Sequence, residues 1–90
     1  MDIACNKVVG EVLACARREH DLTQVELAER MGYTQSTISK TEAGERRLPL
    51  AESFLFCAAM GEEPGTFVNR VYIRLSEEGL IPPIPQSSEE

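Results

Sequence analysis

The chain predicts an all-α fold, a compact five-helix bundle. Three observations carry that expectation. Apolar residues recur at helical spacing along most of the sequence. Candidate caps, glycines and prolines cut that pattern into five segments. Only 6% of the 90 residues are aromatic while 42% are hydrophobic, which suits a core of Leu, Val, Ile and Ala. Ninety residues make one domain, near the lower end of what buries a self-sufficient core.

The first helix is expected over residues 6–19, with Val9, Leu13 and Ala16 on one face and Val8, Val12 and Cys15 beside them. Thr23, Gln24, Val25 and Glu26 form a capping box: the Thr hydroxyl accepts from an amide three residues on, and the Glu reaches back. Val25, Leu27, Ala28 and Met31 continue the second helix as an apolar stripe, and Gly32 ends it. Thr34 is an N-cap for a third helix in which Ile38 is the one strongly apolar residue of 35–40. Two short helices joined through a glycine turn are a helix-turn-helix, and the second is too polar to be a core element. Its outward face points to nucleic acid. A fourth helix is expected over about 49–60, with Pro49 in its first turn, Leu50, Phe54, Cys57 and Met60 inward and Gly61 as its stop. Pro64 opens a fifth, carrying Phe67, Val68, Val71, Tyr72 and Leu75. Residues 1–76 are read as the folded domain, with the last helix a candidate for dimerisation. Residues 77–90 are read as a flexible, Pro-rich, acidic tail.

Several function classes fall away. No run of ~18 apolar residues exists, so no membrane span is expected, and residues 1–10 carry neither the basic region nor the apolar core of a signal peptide. A cytoplasmic location is expected. Cys5, Cys15 and Cys57 are an odd number without a C-x-x-C pair, which supports neither a disulfide framework nor a zinc site. Cys15 and Cys57 read as small buried hydrophobes, Cys5 as exposed and open to oxidation, and His20, in a charged run, as solvated. With one His, no paired carboxylates in an apolar setting and no phosphate-cradling glycine loop, an enzyme is not expected. The formal net charge is −6, unevenly spread. Residues 30–47, with Arg30, Lys40, Arg46 and Arg47 against Glu42 and Glu45, are the only positive segment. Screening over ~8 Å lets that patch act semi-independently of the acidic remainder.

Arg17, Leu22-Thr23-Gln24, Leu27-Ala28, Gly32, the run from Gln35 to Lys40 and Glu42-Ala43-Gly44 closely resemble the XRE family of phage-repressor-like, Cro-like helix-turn-helix regulators. The match covers about residues 9–61 in order and at the right spacing. It implies a five-helix, lambda-repressor-like domain that binds double-stranded DNA as a homodimer, represses or activates transcription, and needs no cofactor. Arg17 and Glu42 match a family pair that bridges the first helix to the end of the third. Thr41 departs from the pattern, which usually has a larger apolar residue there, and Leu48 stands where a polar cap is common.

The outward positions are the candidate DNA-binding residues. Gln24 and the free amides at the start of the second helix suit a phosphate oxygen. Gln35 and Ser36, at the N-terminal end of the third helix and capped by Thr34, are expected to face base edges in the major groove. Ser39 and Lys40 lie one turn on, Lys40 suiting a guanine or a phosphate. Thr37 suits a base methyl or a phosphate, and Arg46 and Arg47 suit the backbone. The bland alternative is an ordinary solvated helix face. One recognition helix reads few base pairs, so a dimer on a palindromic operator is expected. The fifth helix and Leu80, Ile81 and Ile84 are the candidate interface, unless Phe67, Val71 and Leu75 simply close the monomer's core. The rival function is a protein-interaction subunit of the same fold, an antitoxin or co-regulator, favoured by the acidic surface and the tail.

Overall fold

The computed structural model describes residues 3–82. Five helices follow one another: α1 (Ile3–Glu19), α2 (Gln24–Met31), α3 (Gln35–Glu42), α4 (Leu50–Met60) and α5 (Pro64–Glu77). The fold is all-α. Part of the acidic tail, with Ile84, lies outside the described residues.

Local chemistry sets most boundaries. The Thr23 hydroxyl accepts from the Glu26 amide at 3.0 Å, and the Thr23 amide donates to Glu26 Oε1 at 2.8 Å, so the capping box is complete. Gly32 ends α2 at φ +70°, a left-handed conformation that costs glycine no Cβ clash. Thr34 caps α3 by accepting from the Thr37 amide at 3.2 Å. Glu63 caps α5, accepting from the Thr66 amide at 2.8 Å, with Pro64 in the first turn. α4 begins without a side-chain cap: Pro49 is its N-cap, not part of its first turn, and offers only its carbonyl. α1 starts at Ile3, before the expected residue 6.

The core joins Val8, Val12, Leu13 and Ala16 of α1 to Leu27 and Ala28 of α2, Ile38 of α3, Phe56, Cys57 and Met60 of α4 and Phe67 of α5. Val71, Leu75 and Leu80 are half-buried and pack against it. The phase of α4 differs from expectation. Its buried side is Ser53, Phe56, Cys57 and Met60, while Leu50 is 67% and Phe54 42% exposed. The segment is apolar nearly all round, so periodicity did not fix which side faces inward.

α1 holds the ends of the molecule together. A Cβ at Gly10 would overlap the backbone carbonyls of Thr41 and Glu42, so α1 crosses the end of α3 at near-backbone contact. On the other side, Arg70 and Arg74 of α5 bind Glu19 at 2.8 Å and Glu11 at 2.6 Å. His20 is paired rather than merely solvated: its Nε2 lies 2.8 Å from Oε1 of Glu62, joining the turn after α1 to the turn after α4. Cys5 is half-buried rather than exposed, and burial raises the pKa of the Cys57 thiol, with Glu62 and Glu63 adding to the rise.

Candidate nucleic-acid interface

α3 presents one polar row. Gln35, Ser36 and Lys40 are exposed, Ser39 is half-buried beside them, and Ile38 on the opposite side is fully buried. This alternation follows from the sequence. One apolar anchor pins the helix, and every neighbour on the outer side is polar. Thr34 and Thr37 are spent largely on the start of the helix, their hydroxyls 3.0 Å apart. Thr41, the departure from the family pattern, is 1% exposed, yet its hydroxyl is satisfied. It donates to the Thr37 carbonyl at 2.7 Å and accepts from Arg46 at 3.2 Å.

Behind that row lies a buried ion pair. Arg17 Nε donates to Glu42 Oε2 at 2.6 Å and Nη2 to Oε1 at 3.1 Å, while Nη1 reaches the Leu22 carbonyl at 2.7 Å. The fork geometry fixes where α3 ends relative to α1. Glu42 then continues outward. Its Oε1 accepts from Gln24 Nε2 at 2.9 Å, and Gln24 Oε1 accepts from Gln35 Nε2 at 2.8 Å. The chain Arg17–Glu42–Gln24–Gln35 therefore runs from a buried guanidinium to an exposed amide.

The polarity of that chain is dictated by its buried end. An ionised carboxylate only accepts, so Gln24 must turn its NH2 toward Glu42. Its carbonyl is left facing Gln35, which must then donate. What Gln35 keeps for a ligand is its carbonyl oxygen and one remaining N–H, an acceptor beside a donor. The sequence placed Gln24 and Gln35 on the same surface but held no sign that they bond to each other across 11 positions.

The cations divide into two groups. Arg46 is bound internally, its Nη2 2.7 Å from Glu52 Oε2 and its guanidinium 5.8 Å from the centroid of Tyr33. Tyr33 donates its hydroxyl to the same carboxylate oxygen at 2.5 Å and meets Phe56 edge-on at 5.9 Å. Burial pushes the Glu52 carboxyl up, but the Tyr33 hydroxyl and Arg46 outweigh it and hold the group below its ordinary value. Hydrogen bonding to Glu52 raises the Tyr33 phenol, with burial adding to the rise. Sequence reasoning missed this Tyr33–Glu52–Arg46 cluster, because its members come from a turn, a loop and a helix with no local signature. Arg30 donates to the Ala59 carbonyl at 2.8 Å. Lys40 and Arg47 are exposed and enter none of the ion pairs among the described residues.

A rigid two-helix unit, with a polar row on its second helix and free cations at its end, defines a helix-turn-helix DNA-binding domain. A family model described as helix-turn-helix matches residues 16–67. The solved structure of an XRE-family like protein from Pseudomonas syringae pv. tomato str. DC3000 is similar, with 37% sequence identity and a TM-score of 0.69. The match covers 79% of this chain and 87% of that one. No curated protein matches the sequence. The chain belongs to the XRE-type helix-turn-helix family of DNA-binding regulators. Among the described residues, no helix is long and apolar enough to cross a membrane.

Proposed function

We propose that the protein is a sequence-specific transcriptional regulator that binds double-stranded DNA as a dimer on a two-fold operator, with α3 in the major groove. The observation that carries this reading is the polarised amide of Gln35 at the exposed start of α3. An acceptor beside a donor is the complement of adenine, whose N6 donates and whose N7 accepts at the major-groove edge. Ser36 and Ser39 supply hydroxyls that donate or accept beside it. Thr34 and Thr37 lie at the rim, in reach of a phosphate or a base methyl. Lys40 and Arg47 are the cations left for phosphates, and they position the domain without specifying sequence. Gln24 serves chiefly to orient Gln35, with the uncapped amides at the start of α2 turned to the backbone. Arg46 acts through the loop that it braces.

The test is selection from a random duplex library with the purified protein, beside a Gln35→Ala/Ser36→Ala variant. A two-fold site containing adenine in each half, relaxed or lost in the variant, is the expected result. Folded protein that enriches nothing at low salt would sink the reading and turn attention to a protein partner, as an antitoxin or co-regulator would need.

A further inference from the structure

α4 is the one helix whose exposed residues are all apolar. Leu50, Ala51, Phe54, Leu55 and Ala58 face solvent, while its only charged residue, Glu52, is half-buried against Tyr33 and Arg46. Every other helix puts polar or charged side chains among its exposed positions. A helix apolar all round is one that is covered all round, and within the monomer only the Ser53, Phe56, Cys57 and Met60 side is covered. Leu50 is 67%, Leu55 60% and Phe54 42% exposed, and Val68 of α5 adds a fourth at 42%. Leu50 and Val68 also line an apolar groove of about 290 Å³ between α4 and α5. Together these side chains leave bare on the order of 400 Å², the size of the largest apolar patch on a typical monomer, which is often functional.

We infer that this face is the homodimer interface, α4 packing against α4 of a second copy about a two-fold axis near Phe54 and Leu55. Three features select a second copy as the occupant. The protein carries a net charge of −6, so two copies repel across most of their surface, and a charge-free stripe is where that repulsion is least. The stripe is self-complementary: the bulky pair Phe54 and Leu55 is flanked one turn away on each side by Ala51 and Ala58. A two-fold axis near Phe54 and Leu55 brings these bulky residues of the two copies together at its centre and sets Ala51 of each copy opposite Ala58 of the other. The area also fits, since ~400 Å² of large side chains is the centre of an interface needing ~800 Å² per partner. Ala51, Ala58 and the rest of the groove wall, Val71, Tyr72 and Ile81, border it. Of the α5 residues that would compete for this role, Phe67 is buried in the core, and Val71 and Leu75 are half-buried against it at the edge of the same groove.

This inference rests on the proposed dimeric regulator, and one experiment separates the two. Sedimentation of the full chain at micromolar concentration, as wild type, Phe54→Glu, Leu55→Glu and the α5 control Ile73→Glu, reads the oligomer directly. Circular dichroism verifies that each is folded. The exposed positions make that the expected result. A wild-type dimer that becomes monomeric in both α4 variants but persists in Ile73→Glu is the expected outcome. The α4 variants should also lose about tenfold or more in affinity for a two-fold duplex while binding a single half-site as the wild type does. A wild type that stays monomeric, or a dimer that survives Phe54→Glu, overturns the α4 interface. An α4-dependent dimer that binds no duplex leaves the interface standing and removes only the DNA reading.

Discussion

At the scale of single residues, the polar row depends on groups set behind it. Glu42 is a buried acceptor, and through Gln24 it decides which end of the Gln35 amide faces outward. Replacing Gln24 by Ala frees that amide to rotate. The expected result is loss of preference at one base pair per half-site, a discrimination of ~1–3 kcal/mol, with the fold intact. Binding to duplexes carrying each base pair at that position checks it, and an unchanged adenine preference would refute the relay. Glu52 gives a second residue-level expectation. Its folded pKa lies below the ordinary 4.5, so its contribution is present above the unfolded value and is lost as pH falls through the folded one. Glu52→Gln should therefore be less stable than wild type at pH 7, and the gap should close in acid. Thermal unfolding from pH 7 down to about 3 would read this, and a gap independent of pH would exclude it.

At the scale of elements, the helices differ in how openly the sequence announced them. α2 and the starts of α3 and α5 are marked by Thr23, Gly32, Thr34 and Pro64, whose effects are local, so the sequence located them, while the Glu63 cap of α5 was not read from it. Pro49 and Gly61 marked the ends of α4, but nothing within it marked its phase. Leu50 and Phe54 are as apolar as Phe56 and Met60, and only the position of α2 and α5 decides which are covered. The same limit applies to the site. The polar row of α3 was legible, because Ile38 is the one apolar residue of its first turns and its side must face inward. The bonds from Gln35 to Gln24, from Arg46 to Glu52 and from His20 to Glu62 span chain separations on which no periodicity bears. Gly10 was likewise silent. In a helix interior glycine reads as a weakness, yet here it lets α1 lie against the last carbonyls of α3. Gly10→Ala drives a methyl into the backbone carbonyls of Thr41 and Glu42 and should cost ~1–3 kcal/mol despite the better helix propensity of alanine. Denaturant unfolding measures it. A stabilised variant would mean that the two helices separate more easily than their contact implies.

At the scale of the whole molecule, charge governs how the protein meets DNA. The net charge of −6 opposes approach to a polyanion, and much of the positive charge is committed internally: Arg17 to Glu42, Arg46 to Glu52, Arg70 to Glu19 and Arg74 to Glu11. On α3 and the loop after it, Lys40 and Arg47 are exposed and enter none of the ion pairs among the described residues, and Lys7 of α1 lies exposed beside the same loop. Each phosphate neutralised contributes about −0.9 to the slope of log K against log salt. Two per protomer give a dimer a slope of roughly −4, shallow for a DNA-binding protein. Affinity would then depend comparatively more on base contacts from Gln35 and Ser36 and on joining two half-sites. Titration of the selected duplex across a range of KCl concentrations tests this. Lys40→Ala should reduce the dimer's slope by about 2, one per protomer, while leaving the order of preferred sequences unchanged. A measured slope near −10 would mean that further cations join them, the exposed Lys7 beside the same loop first, then Arg46 and Arg30 released from their internal partners.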